Sequence, residues 1–343
     1  MHQQPAARVA EIHRRGFIVD AHFDLTYEVQ NRRERGLRKV IETSYLEGFR
    51  QGRFDLLVSA MFIPDYFLPE MGLRRALDQI SHLLEEIDES PGAFRLCRSA
   101  TEAQAARQAK EIALFLSLEG AEPLQNDIHL LRIFHELGVR GLGLVWSRRN
   151  MVGDGAFFKP TRTGHRGGLS HFGVQLVERA EALGMVIDVS HLNDEGLADV
   201  LEIASRPLIA SHSNCRALAG TMRNLTDRQI EAIAAGGGVI GINAVNRFLR
   251  DDGAMASVAD MADHLDHLVK IAGVAHAGLG LDLCDSFADY LNLEQALPTR
   301  DVLGGHQALA ELTTLLLERG YSDEAILGIL GGNFLRVFKE ILG

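Results

Sequence analysis

The chain has 343 residues, of which 46% are hydrophobic and 24% charged, the balance of an ordinary globular protein. Its formal net charge of -11 argues against nucleic acid as a partner, because phosphate binding needs a basic face. Three scattered cysteines, Cys97, Cys215 and Cys284, have no CxxC spacing, which argues against a disulfide framework or a cysteine-based zinc site and suits a reducing compartment. The polar stretch Met1 to Arg15 has no signal-peptide core, and no run is apolar enough to span a bilayer. The expected location is therefore cytoplasmic, with no membrane partner.

Short apolar runs alternate with helical patterns along the chain. The runs are Phe17 to Ala21, Asp55 to Ile63, Glu111 to Leu118, Val139 to Trp146, Met185 to Ser190, Pro207 to Ser211, Gly238 to Asn243 and Ala277 to Asp282. They are rich in Val, Ile and Leu without strict alternation, as expected of strands buried on both faces. Gly72 to Glu89, Leu130 to Leu137, Phe172 to Leu183, Asp194 to Ala204, Asp227 to Ala235 and Val258 to Ala272 carry apolar residues at helical spacing. Ser170, Asn193 and Thr226 stand where N-caps would. Strand-then-helix repeated eight times predicts a single (β/α)8 TIM-type barrel over residues 1–343, with extra C-terminal helices between Val302 and Leu342. Asn31 to Arg53 and Met151 to Gly168 read as irregular loops over the carboxyl-terminal face of the barrel.

The polar residues fall at the strand ends. Run one leads into His22 and Asp24, run three into Glu119, run five into His191, run six into His212, and run eight ends at Asp282. Five such ends converging on one barrel mouth describe a two-metal site. Three imidazoles and two carboxylates match the preferences of Zn²⁺, and Mn²⁺ or Co²⁺ is compatible with the same set. Glu119, on a central strand, is the candidate bridge. His22 and Asp24 would then serve one ion, His191 and His212 the other, with a hydroxide between them as nucleophile. Asp188, inside its strand, is left without a role. His129, His135, His171, His264, His267 and His306, in or beside helical patterns, read as solvated surface residues. His165, in a glycine-rich loop, is a candidate substrate contact.

These residues resemble the membrane dipeptidase (renal dipeptidase) family of binuclear zinc peptidases, in the amidohydrolase-type barrel superfamily. The likeness runs through Asp20-Ala21-His22-Phe23-Asp24, Leu118-Glu119-Gly120, Leu144-Val145-Trp146 and Gly153-Asp154-Gly155. It continues through the segment from Gly184 to His191, Ala210 to Asn214, Arg223 to Asp227, Gly237 to Asn243 and Asn333 to Phe338. The resemblance implies that His22, Asp24 and Glu119 bind one zinc and that Glu119, His191 and His212 bind the other. It implies that Arg223 pairs with the substrate carboxylate and that Asp282 carries the catalytic proton. Trp146 stands where many members have a substrate-contacting histidine. Asp282-Leu283-Cys284-Asp285 replaces the family's Asp-Phe-Asp-Gly, which bears on specificity more than on metal binding. The implied activity is hydrolysis of L-Xaa-Xaa dipeptides, tolerating a D-residue at the C-terminal position. The alternative is an N-acyl amino acid or another small carboxylate-bearing amide on the same site. Family members often form dimers, so a homodimer is also implied, although no stretch of sequence marks its interface.

Overall fold

A computed structural model describes residues 5–158, 165–284 and 300–343. Its strands are β1 Ile18–Phe23, β2 Phe54–Met61, β3 Phe94–Leu96, β4 Ile112–Glu119, β5 Val139–Gly143, β6 Val186–Asp188, β7 Ile209–Ala210, β8 Val239–Ile242 and β9 Ala277–Leu279. All pair in parallel in the order β1-β2-β4-β5-β6-β7-β8-β9, and β3, which the sequence pattern did not suggest, branches off β4. The ends of this path meet just beyond β9. The Asp282 N–H donates to the His22 carbonyl at 3.1 Å, and the Leu281 N–H donates to Asp20 at 2.8 Å. The eight-strand path is thus a nearly closed (β/α)8 barrel, as expected.

Strand pleating sorts the core into two layers. Val19, Ala21, Leu56, Val58, Ala113, Phe115, Val186, Ile209 and Val239 fill the barrel interior. The residues alternating with them, among them Ile18, Leu57, Leu114, Leu116, Ile187 and Ile240, pack outward against the helices. The last helix, Asn333–Leu342, plugs the amino-terminal end of the barrel. Its Phe338 ring lies 5.3 Å from that of Phe115. Gly278 makes room for the plug, since a Cβ there would clash with the Phe334 ring.

The expected helices form at Gly72–Glu89, His129–Glu136, His171–Ala182, Asp194–Ile203, Asp227–Ala235 and Val258–Ala272. Ser170, Asn193 and Thr226 each accept a backbone N–H from the first turn, and Thr226 completes a capping box with Gln229. The tail supplies Leu309–Glu318, Asp323–Leu327 and Asn333–Leu342. Two helices without a clear sequence signal, Pro5–Arg15 and Ala100–Gln108, complete the outer layer. Asn31 to Arg53 is not an irregular loop. It is largely helical, as Leu25–Glu34, Val40–Ser44 and Leu46–Gln51. Buried Val40, Ile41, Leu46 and Phe49 give it an apolar face, and Arg33 ties it to Glu85, Glu86 and Glu89 of the helix Gly72–Glu89. That cross-helix charge pairing has no local signature in the sequence.

Candidate active site

The barrel's pleat explains half of the site. Glu119 and Asp188 keep the inward register of Phe115 and Val186, so strand geometry alone aims them at the barrel axis. The three histidines do not follow this register. Val19 and Ala21 face inward, which would turn His22 outward, but the β1–β2 register shifts between Asp20 and Phe23. That irregularity brings the His22 ring to the mouth, stacked on His212 with ring centroids 3.6 Å apart. His191 reaches the centre from a left-handed backbone position (φ 70°), and Asp282 from another (φ 53°). Non-glycine residues rarely adopt this conformation, and it concentrates at functional sites.

One carboxylate oxygen is the hub. Glu119 Oε1 lies 2.9 Å from His191 Nε2 and 3.7 Å from Nε2 of both His22 and His212. His22, Asp24 and Glu119 form one cluster able to hold a metal ion, and Glu119, His191 and His212 form another, both buried. A third cluster combines His22, Asp188 and His212.

The surroundings of these groups test whether they suit a cation. His22 Nε2 and Asp24 Oδ1 are buried with no hydrogen-bond partner, a costly arrangement for polar atoms unless something else satisfies them. The Ser211 hydroxyl makes a very short hydrogen bond to Asp188 Oδ2 and lies 2.7 Å from His212 Nδ1. Its one proton goes to the carboxylate, so it accepts from Nδ1–H, and the Nε2 lone pair of His212 faces the centre. Ser147 Oγ stands 2.8 Å from His191 Nδ1 in the equivalent place. With both Nδ1 atoms on serine hydroxyls, the two Nε2 atoms are turned to the centre, 2.9 Å apart.

The electrostatics agree. Burial, reinforced by the charges of Asp24 and Asp282, pushes the Glu119 carboxyl well above its usual range. Burial raises Asp24 to about 7, and burial followed by the Asp24 charge raises Asp282 well above normal. Burial, then the Arg223 charge, lowers His22 to about 3, and burial is also the main cause that depresses His191 and His212. The rings are held neutral, as ligation requires, and the converging carboxyls are groups whose charged form a divalent cation would favour.

Around this centre lie the other expected residues. Arg223 is buried; it donates through Nη2 to the His212 carbonyl (2.8 Å) and through Nη1 to Ser213 Oγ (3.1 Å), while Nε has no partner. Asp282 Oδ1 lies 3.8 Å from His22 Nε2, and Asp282 Oδ2 accepts from Asn243 Nδ2 at 2.6 Å. Trp146 tilts over His191 at 5.9 Å between Phe62 and Phe158. Leu283 and Cys284 follow Asp282, whereas Asp285 lies outside the described residues.

Several supporting residues escaped the sequence pattern. Asp188, left without a role, accepts the backbone N–H groups of Ser190 and Ser211, each at 2.9 Å, besides the Ser211 hydroxyl. Its inward strand parity was the available signal. His306 and His264 are buried, contrary to the surface reading. His306 Nε2 lies 2.9 Å from Asp20 Oδ2 in a cage of Phe23, Phe49 and Phe54, and His264 Nδ1 accepts the Cys215 N–H at 3.0 Å. Both have partners far away in sequence, which local periodicity does not register. His165 is exposed, and its carbonyl accepts from Arg149.

Known proteins share this architecture. The model of the membrane dipeptidase family (peptidase family M19) matches residues 6–342. An uncharacterized protein in the pqqA 5′ region of Klebsiella pneumoniae is 35% identical over 269 residues, 77% of this chain and 94% of that protein. Human Dipeptidase 3 is 28% identical over 337 residues, 94% of this chain but 65% of that protein. The crystal structure of dipeptidase AC, an M19 metallopeptidase, superposes with a TM-score of 0.84 at 28% identity, covering 95% of this chain and 99% of its own. A Rhodobacter sphaeroides metallopeptidase liganded with a phosphinate mimic of L-Ala-D-Ala superposes at 0.82 with 27% identity and the same coverage. The chain therefore belongs to the membrane dipeptidase family, peptidase family M19, and is a metallodipeptidase.

Proposed function

We propose that this enzyme hydrolyses L-Xaa-Xaa dipeptides, including those with a D-residue at the C-terminal position, on a two-zinc centre within a single barrel domain. The observation that carries the reading is the sharing of Glu119 by two buried ligand clusters. His22, Asp24 and Glu119 would hold one ion, and Glu119, His191 and His212 the other. When bound, such a pair polarises the scissile carbonyl and lowers the pKa of an attacking water. The chain's own residues do the rest. Arg223, held by the His212 carbonyl and Ser213, would pair with the substrate's terminal carboxylate. Asp282 is steadied through Oδ2 by Asn243, which leaves Oδ1 to take the proton of the attacking water and return it to the leaving amine. Trp146 and Phe158 wall the pocket beside His191. Tolerance of a D-residue is supported by the Rhodobacter sphaeroides relative, which accommodates an L-Ala-D-Ala mimic.

The test is metal analysis combined with a library of L,L and L,D dipeptides. About two zinc per chain and turnover of both series are expected. Asp282→Asn should lower kcat by roughly 10²- to 10⁴-fold without loss of metal. A zinc-reconstituted enzyme that cleaves no dipeptide, or an Asp282→Asn variant as active as wild type, would end this reading.

A further inference from the structure

A second arginine stands at the barrel mouth. Arg247 lies just beyond β8, on the short helix Asn246–Leu249. It is half-buried, with its guanidinium 4.7 Å from the Phe158 ring centroid and 5.4 Å from that of Phe248. Among the described residues it makes no hydrogen bond and no ion pair. Other arginines around the mouth are engaged: Arg148 pairs with Glu122 and Asp65, Arg149 with Asp154, and Arg216 with Asp194. Aromatic faces hold a guanidinium plane in place but leave its in-plane N–H donors open.

The position of those open donors is informative. Phe158 packs on Trp146 (5.1 Å) and on the His191 ring (6.3 Å), so it belongs to the wall of the metal centre. Phe248 stacks on Phe158 at 5.9 Å and lies 5.8 Å from the Arg223 guanidinium. Both cations therefore pack against the same phenyl ring. A substrate whose terminal carboxylate meets Arg223 would carry its C-terminal side chain one carbon from that carboxylate, beside the Phe248 ring that both guanidiniums share.

The geometry points to Arg247 as a specificity determinant that selects dipeptides with a second carboxylate, in the side chain of the C-terminal residue. This rests on the dipeptidase reading above and on Arg223 as the anchor of the terminal carboxylate. An aspartyl or glutamyl side chain would accept a forked pair of N–H bonds from Arg247. A neutral side chain would leave those donors to water.

The experiment compares alanyl-glutamate with alanyl-glutamine, in both stereochemical series, on the zinc-loaded enzyme. The two side chains share a shape and differ in charge. Wild type should favour the acid in kcat/KM by about 10- to 100-fold, mostly through KM, with the preference shrinking as salt is raised. Arg247→Gln should bring the ratio close to one, Arg247→Lys should keep part of it, and Arg247→Glu should shift preference toward alanyl-lysine. Equal use of both substrates by wild type, or a ratio that Arg247→Gln does not move, would overturn the assignment while leaving the dipeptidase reading intact. Cleavage of neither, by an enzyme that turns over other dipeptides, would likewise overturn the assignment, and cleavage of no dipeptide at all would overturn both.

Discussion

Asp188→Asn isolates the tautomer control of His212. In the wild type the carboxylate takes the Ser211 hydroxyl proton, so Ser211 accepts from His212 Nδ1–H and Nε2 is free to ligate. An asparagine would keep its oxygen on the Ser190 and Ser211 backbone N–H groups, which now bond Asp188 Oδ1 at 2.9 Å. Its amide nitrogen would then face Ser211 Oγ and donate to it. Ser211 would turn its own proton to His212 Nδ1, and the ring proton would move to Nε2, toward Glu119. A ring protonated there cannot ligate until it switches tautomer. Losses at such supporting positions are about 10- to 100-fold in metal affinity, or about 1.4–2.7 kcal/mol. Chelator-competition titrations on the apoprotein should show this loss for one ion while the other binds as in wild type. Ser211→Ala, which removes the hydroxyl but leaves the carboxylate, should weaken the same ion by a smaller factor. Wild-type affinity for both ions in Asp188→Asn would refute the argument.

Removal of metal should destabilise the fold, because Asp24, Glu119 and Asp282 then crowd one another without a counter-charge. Zinc at a hundredfold excess over its Kd should restore about 2.7 kcal/mol per site, read as a rise in Tm over the chelated protein. His13 should make stability depend on pH. Its buried ring, 2.7 Å from Thr313 Oγ, has a pKa lowered to about 4, first by burial and then by Arg53. Because the unfolded chain binds that proton more readily, the contribution of roughly 3 kcal/mol is fully present above pH 6.5 and is lost as pH falls toward 4. His13→Gln should flatten urea-derived stability over that window. Phe338→Ala should cost about 3–5 kcal/mol in the same assay by opening a cavity under the barrel, with little change in KM.

The barrel and the convergence of the candidate ligands were legible along the chain. Strands buried on both faces need continuous apolar runs, and the loops that follow parallel strands share one face of a barrel, so Glu119, His191, His212 and Asp282 were bound to converge. The caps at Ser170, Asn193 and Thr226 were legible because capping is local chemistry. The remainder depends on contacts between distant segments. His22 faces the candidate metal centre only because β1 slips its register beside β2, an event no local pattern encodes. His306 is buried because Asp20, far away in sequence, presents it a carboxylate inside an aromatic cage. Asn31 to Arg53 folds into helices because Arg33 finds three glutamates on another helix. Arg247 looks like any loop arginine until the folded chain sets it against Phe158 and Phe248, the latter ring shared with Arg223. Periodicity and capping act within a few residues and can be read along the chain. Register, burial and charge pairing depend on which distant segments meet, and only the assembled barrel fixes that.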